Sequence, residues 1–178
     1  MHWVLVALLI VPSFAGKRRP KERPPDGFQE MVVQAVVPVP NGAVVVLSDK
    51  SQANVLHMVV GPTEGRTIFL RHERRTFQRP LTHDLFDEIM GFVHAEVVEV
   101  RIDDIRSDTF VARVTVQTKR RKRHTIDARA SDSIAMALGR GLPIYIANHV
   151  IAKMAVRPED QVLPLEDAPD SDDPRDAL

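Results

Sequence analysis

The sequence predicts a single α+β domain, built mostly of antiparallel strands with a few short helices. Three observations carry this reading. Short runs rich in valine and isoleucine alternate apolar with polar residues, the period of half-buried strands. Turn residues such as "PNG" (40–42) separate these runs. Only a few segments show helical spacing, and they do not alternate regularly with strands as a doubly wound sheet requires. Of the 178 residues 44% are hydrophobic, enough for one domain with its own core.

The elements follow in order. "MVVQAVVPV" and "AVVVLS" flank Asn41-Gly42, a hairpin signal. Pro38 and Pro40 put the first strand, or its end, at a sheet edge. "NVLHMVV" is a third strand. "GPTEGRTIFLRHE" predicts a helix with Pro62 in its first turn and Glu64 near its N-terminus. Gly65 costs that helix about 1 kcal/mol against alanine. After Thr82, read as an N-cap, Leu85, Phe86, Ile89, Met90 and Val93 recur at helical spacing and predict an amphipathic helix ending near Gly91. "EVVEVRID" places Val98, Val100 and Ile102 inward, and "TFVARVTVQT" places Phe110, Ala112, Val114 and Val116 inward. "KRRKR" is a hairpin tip and "HTIDAR" the returning strand. "SDSIAMALGRG" predicts a helix with Ser131 as N-cap and Gly141 beyond its end. "LPIYIA" is a last short strand and "NHVIAKMAV" a terminal helix. Residues 31–73 and 95–140 each run hairpin, third strand, helix, which predicts an internal β-β-β-α duplication.

The ends differ from the middle. Residues 1–16 hold the apolar run Trp3 to Val11 and then Ser13-Phe14-Ala15, the anatomy of a signal peptide. This predicts export to a periplasm or the exterior, or tethering to a membrane by the N-terminus. "KRRPKER" follows the run directly, and positive charge on that side opposes export, so a cytoplasmic location is the alternative. Residues 17–29 read as a basic, proline-rich linker. Residues 157–178 hold eight acids against two arginines and read as an acidic disordered tail. The folded domain is then 30–156.

Lys+Arg and Asp+Glu number 24 each, so the chain is not a strongly basic nucleic-acid binder, although local patches remain. Cysteine is absent, which excludes disulfides and zinc–thiolate sites and leaves histidine and carboxylates as the metal ligands.

"VVGPTE", "RPLTHDL", "IDARASDSIAMAL" and "LPIYI" occur in that order, and together they resemble the motifs of the bifunctional nuclease family across about residues 31–155. The resemblance implies a duplicated α+β fold, hydrolysis of both DNA and RNA, self-association into a homo-oligomer, and no small-molecule cofactor. Carried over by position, the motif residues are Gly61, Glu64, Arg79, Pro80, Thr82, His83, Asp84, Asp127, Arg129, Ser131, Asp132 and Pro143. The sequence departs from the family pattern at Gly65, where alanine is usual, at Arg74, where glycine is usual, and at Ala130, where proline is usual.

Phosphodiester hydrolysis needs an activated water, relief of charge on the phosphorane and a stabilised leaving oxygen. Acidic clusters meet these needs through Mg²⁺ or Mn²⁺, and Glu64, Asp84, Asp127 and Asp132 are the candidate ligands. Glu64, Asp84 and Asp132 fall in first helical turns, where the dipole favours the charged carboxylate and makes it a ligand rather than a proton acceptor. His83 is either the base or a ligand for a softer metal, and an imidazole, with an unperturbed pKa of about 6.5, makes the better base. Arg79 and Arg129 suit bidentate contacts to phosphate. The candidate catalytic set is therefore His83, Asp84, Asp132, Arg79 and Arg129. The bland alternative is that the acids serve helix starts and the arginines neutralise them, in a non-catalytic regulatory or interaction module. Lys119, Arg120, Arg121, Lys122 and Arg123 form a basic tip that either contacts nucleic-acid phosphates or is simply solvated. His57, His72, His94, His124 and His149 show no ligand spacing.

Overall fold

The computed structural model describes residues 23–155. The signal-peptide-like segment, the linker up to residue 22 and the acidic tail lie outside the described residues. No described helix is long and apolar enough to cross a membrane.

Two three-stranded meanders, each followed by a helix of 11 residues, make up most of the domain. The first comprises β1 (Phe28–Val39), β2 (Gly42–Ser48), β3 (Val55–Val60) and α1 (Pro62–His72). After α2 (Thr82–Phe92) the second comprises β4 (Ala95–Arg106), β5 (Thr109–Thr118), β6 (Arg123–Arg129) and α3 (Ala130–Arg140). A short β7 (Ile144–Ala147) and α4 (Asn148–Met154) end the domain. All seven strands form one sheet in the order β3-β2-β1-β7-β4-β5-β6. β7 joins the halves, antiparallel to β1 and parallel to β4. The expected α+β class and its β-β-β-α repeat are both present. β1 begins at Phe28, inside the segment read as linker, because Phe28 and Gln29 pair with Ala147 and Ile146.

β7 covers only Phe28 to Met31 of β1, so beyond Met31 that side of β1 is open. The prolines at 38 and 40 therefore sit at a sheet edge, although the strand itself is internal. The first hairpin turns on Pro40-Asn41, with Val39 opposite Gly42. Proline at the first turn position and the lack of positive φ at Asn41 match a type I turn. β4 departs from simple alternation. Bulges between Val97 and Glu99 and between Ile102 and Asp104 shift its register. Val97 is consequently buried where Val98 was expected.

Helices α1 and α3 pack on each other, α1 against β1 and β2, and α3 against β4 and β5. Met31, Val45, Leu56, Ile68, Ile102, Ile134 and Ile146 fill the space between. Gly65 lets α1 approach the sheet, since a Cβ there would lie 2.6 Å from that of Ala43. Helices α1 and α3 each close on a left-handed residue, with a backbone bond from the next N–H to a carbonyl five residues back. In α3 the residue is Gly141; in α1 it is Arg74, with φ 53°. The usual family glycine at position 74 thus has a physical reading: it removes the strain of a side chain in that region.

Asp49 organises the β2–β3 turn. Its carboxylate accepts from the Gln29, Ser51 and Asn54 side chains and from the Ala53 N–H, at 2.8 to 3.0 Å. Burial pushes this carboxyl up. The Asn54, Ser51 and backbone hydrogen bonds outweigh burial and hold it below its ordinary value. Such a group stabilises the fold above its unfolded pKa, about 3.9, and loses that contribution as pH falls through the lower folded value. Asp49→Asn is therefore expected to cost about 1–3 kcal/mol near neutral pH. Urea unfolding midpoints should converge with those of wild type as pH drops below about 4.

Candidate functional site

Three helix N-termini meet at one cleft of about 950 Å³. α1 contributes Pro62, Thr63 and Glu64; α2 brings Leu81, Thr82 and His83; α3 brings Arg129 and Asp132. β5 and β6 form the remaining wall through Val114, Val116, Ile126, Asp127 and Ala128. The duplication explains half of this geometry. Strands β3 and β6 run straight into α1 and α3 through extended residues, Gly61 (φ −64°, ψ 163°) and Arg129 (φ −68°, ψ 146°). Glu64 and Asp132 then occupy the same third position of the two helices. Gly61 leaves room for Glu64 to fold back over its helix start, where a Cβ would lie 2.7 Å from the carboxylate.

Arg129 joins the two acids. Its Nε donates to Asp132 Oδ2 at 2.8 Å and its Nη2 to Oδ1 at 3.2 Å. Its Nη1 lies 2.8 Å from Glu64 Oε1. His83 Nε2 meets Asp132 Oδ1 at 3.0 Å. Burial pushes the Asp132 carboxyl up, but Arg129 and then His83 more than offset this and hold it below the ordinary range. The same two acids hold the Arg129 guanidinium firmly protonated. With Asp132 charged, a neutral His83 ring presents its Nε2–H to the carboxylate and leaves Nδ1 unprotonated. The arrangement is a proton acceptor oriented by an acid, beside a cation, at a point where free helix N–H groups favour an anion. The side chain of Arg129 is 66% exposed, whereas those of His83, Glu64 and Asp132 are 12%, 19% and 23% exposed.

The other candidates lie differently. Asp127 is exposed on β6 and lines the cleft. Asp84 does not line it. Its carboxylate accepts the Leu81 N–H at 2.9 Å and pairs with Arg71 at 2.9 Å, and these contacts outweigh burial to hold it below its ordinary value. Arg79 is exposed in the loop between α1 and α2, lines no part of the cleft, and makes no ion pair among the described residues. The expected caps also shift. α2 is entered through Leu81 and α3 through Arg129, so Thr82 and Ser131 lie inside their helices and make no cap bond. Among the described residues no three histidine or carboxylate side chains converge on a metal-sized point. Glu64, Asp84, Asp127 and Asp132 therefore do not converge as one ligand set among the described residues, and Glu64 and Asp132 share Arg129.

Residues 119–122 turn at the tip of the β5–β6 hairpin, with Arg121 at φ 61°, and Arg123 opens β6. All five cations are exposed. β6 leads from this tip directly to Arg129, a run of roughly 20 Å.

Two features escape a reading of the sequence: Arg71 lies outside every motif, and the apolar cleft residues Ile126 and Met136 lie within "IDARASDSIAMAL" without adding polar chemistry to it. Arg71, only 9% exposed, donates to Asp84, Asp87 and the Ala135 carbonyl and so ties α1, α2 and α3 together. Phe86, Ile126 and Met136 line the apolar part of the cleft; Ile126, 52% exposed on an edge strand, carries the one visible signal, an isoleucine without a core position.

The comparisons with known proteins agree with the motifs. The model of the bifunctional nuclease domain matches residues 45–159. An uncharacterized protein of Mycobacterium tuberculosis, found in two strains, is 33% identical over 113 residues, 64% of this chain. The match spans 66% of the length of these relatives.

Proposed function

The chain belongs to the bifunctional nuclease domain family, and on that premise we propose that its cleft hydrolyses phosphodiester bonds in both DNA and RNA. The carrying observation is the chain of contacts His83–Asp132–Arg129–Glu64 at the meeting of three helix N-termini. In this reading a phosphate enters against Arg129 and the free helix N–H groups. Water attacks phosphorus as His83 Nδ1 takes its proton, and the bond to the leaving oxygen breaks. Asp132 holds the ring in the required tautomer, and Arg129 offsets the charge that develops on the phosphoryl oxygens. The strand continues along β6 towards the Lys119–Arg123 tip, which supplies sequence-independent, salt-sensitive contacts.

Mg²⁺ or Mn²⁺ assistance is read out in the same experiment. The full chain is incubated with single-stranded DNA and with RNA, in Mg²⁺, in Mn²⁺ and in chelator. Cleavage in at least one metal condition supports the proposal, and absence of cleavage in all of them at high protein concentration removes it.

One observation favours the non-catalytic reading. Glu64 and Asp132 are both neutralised by Arg129, as a purely structural bridge between the repeats would have them. The exposure of that arginine weighs against it, because exposed pairs add little stability.

Self-association has its own support. On the apolar face of the amphipathic helix α2, Leu85, Ile89, Phe92 and Val93 are 51–86% exposed, and only Met90 is buried. We propose that a second copy of the chain covers this face. Phe92→Asp is expected to lower the mass measured by light scattering to that of a monomer without lowering the melting temperature of the domain; an unchanged mass counts against this interface.

A further inference from the structure

We propose that the apolar half of the cleft receives one unpaired nucleobase, so that the site takes single-stranded rather than duplex nucleic acid. This rests on reading the cleft as the nucleic-acid site and adds the class of strand that it accepts. Arg129 stands at the rim, while His83 and Asp132 are recessed, 12% and 23% exposed against 66%. A phosphate that reaches His83 has to pass inside the rim, which a single strand can do and a duplex, with its second strand attached, does poorly.

Phe86, Ile126 and Met136 face the cleft beside the polar cluster. Ile126 lies on the outermost strand and remains half exposed, so the core does not account for it. An aromatic ring flanked by aliphatic side chains is a surface on which any base can stack. The volume, about 950 Å³, lies in the range of pockets that enclose a ligand of nucleotide size. Duplex bases are stacked and paired, and placing one here requires flipping it out. The basic tip at 119–123 offers phosphate contacts without aromatics, so the base-holding surface and the backbone-holding surface are separate.

The test uses the full chain in chelator and fluorescence anisotropy with three DNA probes of about 12 nucleotides: a single strand, the same strand in a blunt duplex, and a single strand whose sugars lack bases. The base-bearing single strand is expected to bind roughly tenfold more tightly than either of the others. Ile126→Ser, an exposed change whose fold is checked by thermal melting, should shrink this preference, and Phe86→Ala should shrink it further. Equal affinity for the three probes overturns the inference, and so does duplex cleavage as fast as single-strand cleavage when metal is added. Base-dependent binding without cleavage of any substrate supports the inference and removes the hydrolytic reading.

Discussion

Replacing His83 by alanine is expected to lower phosphodiester hydrolysis about 100- to 10,000-fold, the usual contribution of a positioned general base. The fold should survive. His83 sits in the first turn of α2 and has one polar partner, Asp132, which keeps its two bonds to Arg129 after the ring is removed. No buried charge is orphaned, so the change in melting temperature should be small. The effect is to be read from initial cleavage rates of a single-stranded substrate, with circular dichroism confirming the fold. Cleavage within a factor of a few of wild type in a folded His83→Ala protein would exclude this residue as the proton acceptor. Asp132 acts through His83, so its variants should move the pH dependence of the rate as well as its size.

The largest effect on stability is expected at Arg71. Its side chain is almost fully buried, and its guanidinium serves three acceptors on two other helices: Asp84 at 2.9 Å, Asp87 at 2.8 Å and the Ala135 carbonyl at 2.8 Å. It passes directly over Gly139, where a Cβ would overlap the guanidinium. Arg71→Ala removes the cation that Asp84 and Asp87 share and the side-chain donor to the Ala135 carbonyl. Breaking such a bridge costs about 3–5 kcal/mol when both partners are buried. Asp84 is 45% exposed and Arg140 still pairs with Asp87, which brings the expectation to about 3 kcal/mol. Urea denaturation measures it directly. Arg71→Lys should recover only part of the loss, because one ammonium cannot reproduce a planar fork aimed at three acceptors. A loss below about 1 kcal/mol would show that Arg71 is not the tie between the helices.

Much of the architecture was legible because strand periodicity and turn chemistry are local. The two meanders, the hairpin at Pro40-Asn41 and the left-handed end of α3 at Gly141 all follow from residues within a few positions of one another. The bulges in β4 were not legible, since they answer to register against β5 and β7 and not to the composition of "EVVEVRID". What covers the apolar face of α2 was not legible for a related reason. Helical spacing announces an apolar stripe but not whether the same chain covers it, and most of this one is left bare.

The site was legible in part. Glu64, His83, Arg129 and Asp132 do come together, from segments far apart in sequence. Asp84 adjoins His83 in the chain, yet successive helix residues point about 100° apart, so it turns away to Arg71. Arg79 shares the "RPLTHDL" motif but stays in the loop before α2. Arg71 lay outside every motif because its partners are brought together only by packing of the three helices.

The central claim is that the Glu64–Arg129–Asp132 bridge acts on phosphate and does not merely hold the repeats together. Arg129→Met separates the two roles when unfolding and cleavage are measured on the same preparation. Because Arg129 is largely exposed, the account predicts a stability loss of no more than about 1 kcal/mol, together with a fall in cleavage rate of about 100-fold or more. A loss of several kcal/mol with the cleavage rate unchanged would contradict it and leave the motif as scaffolding.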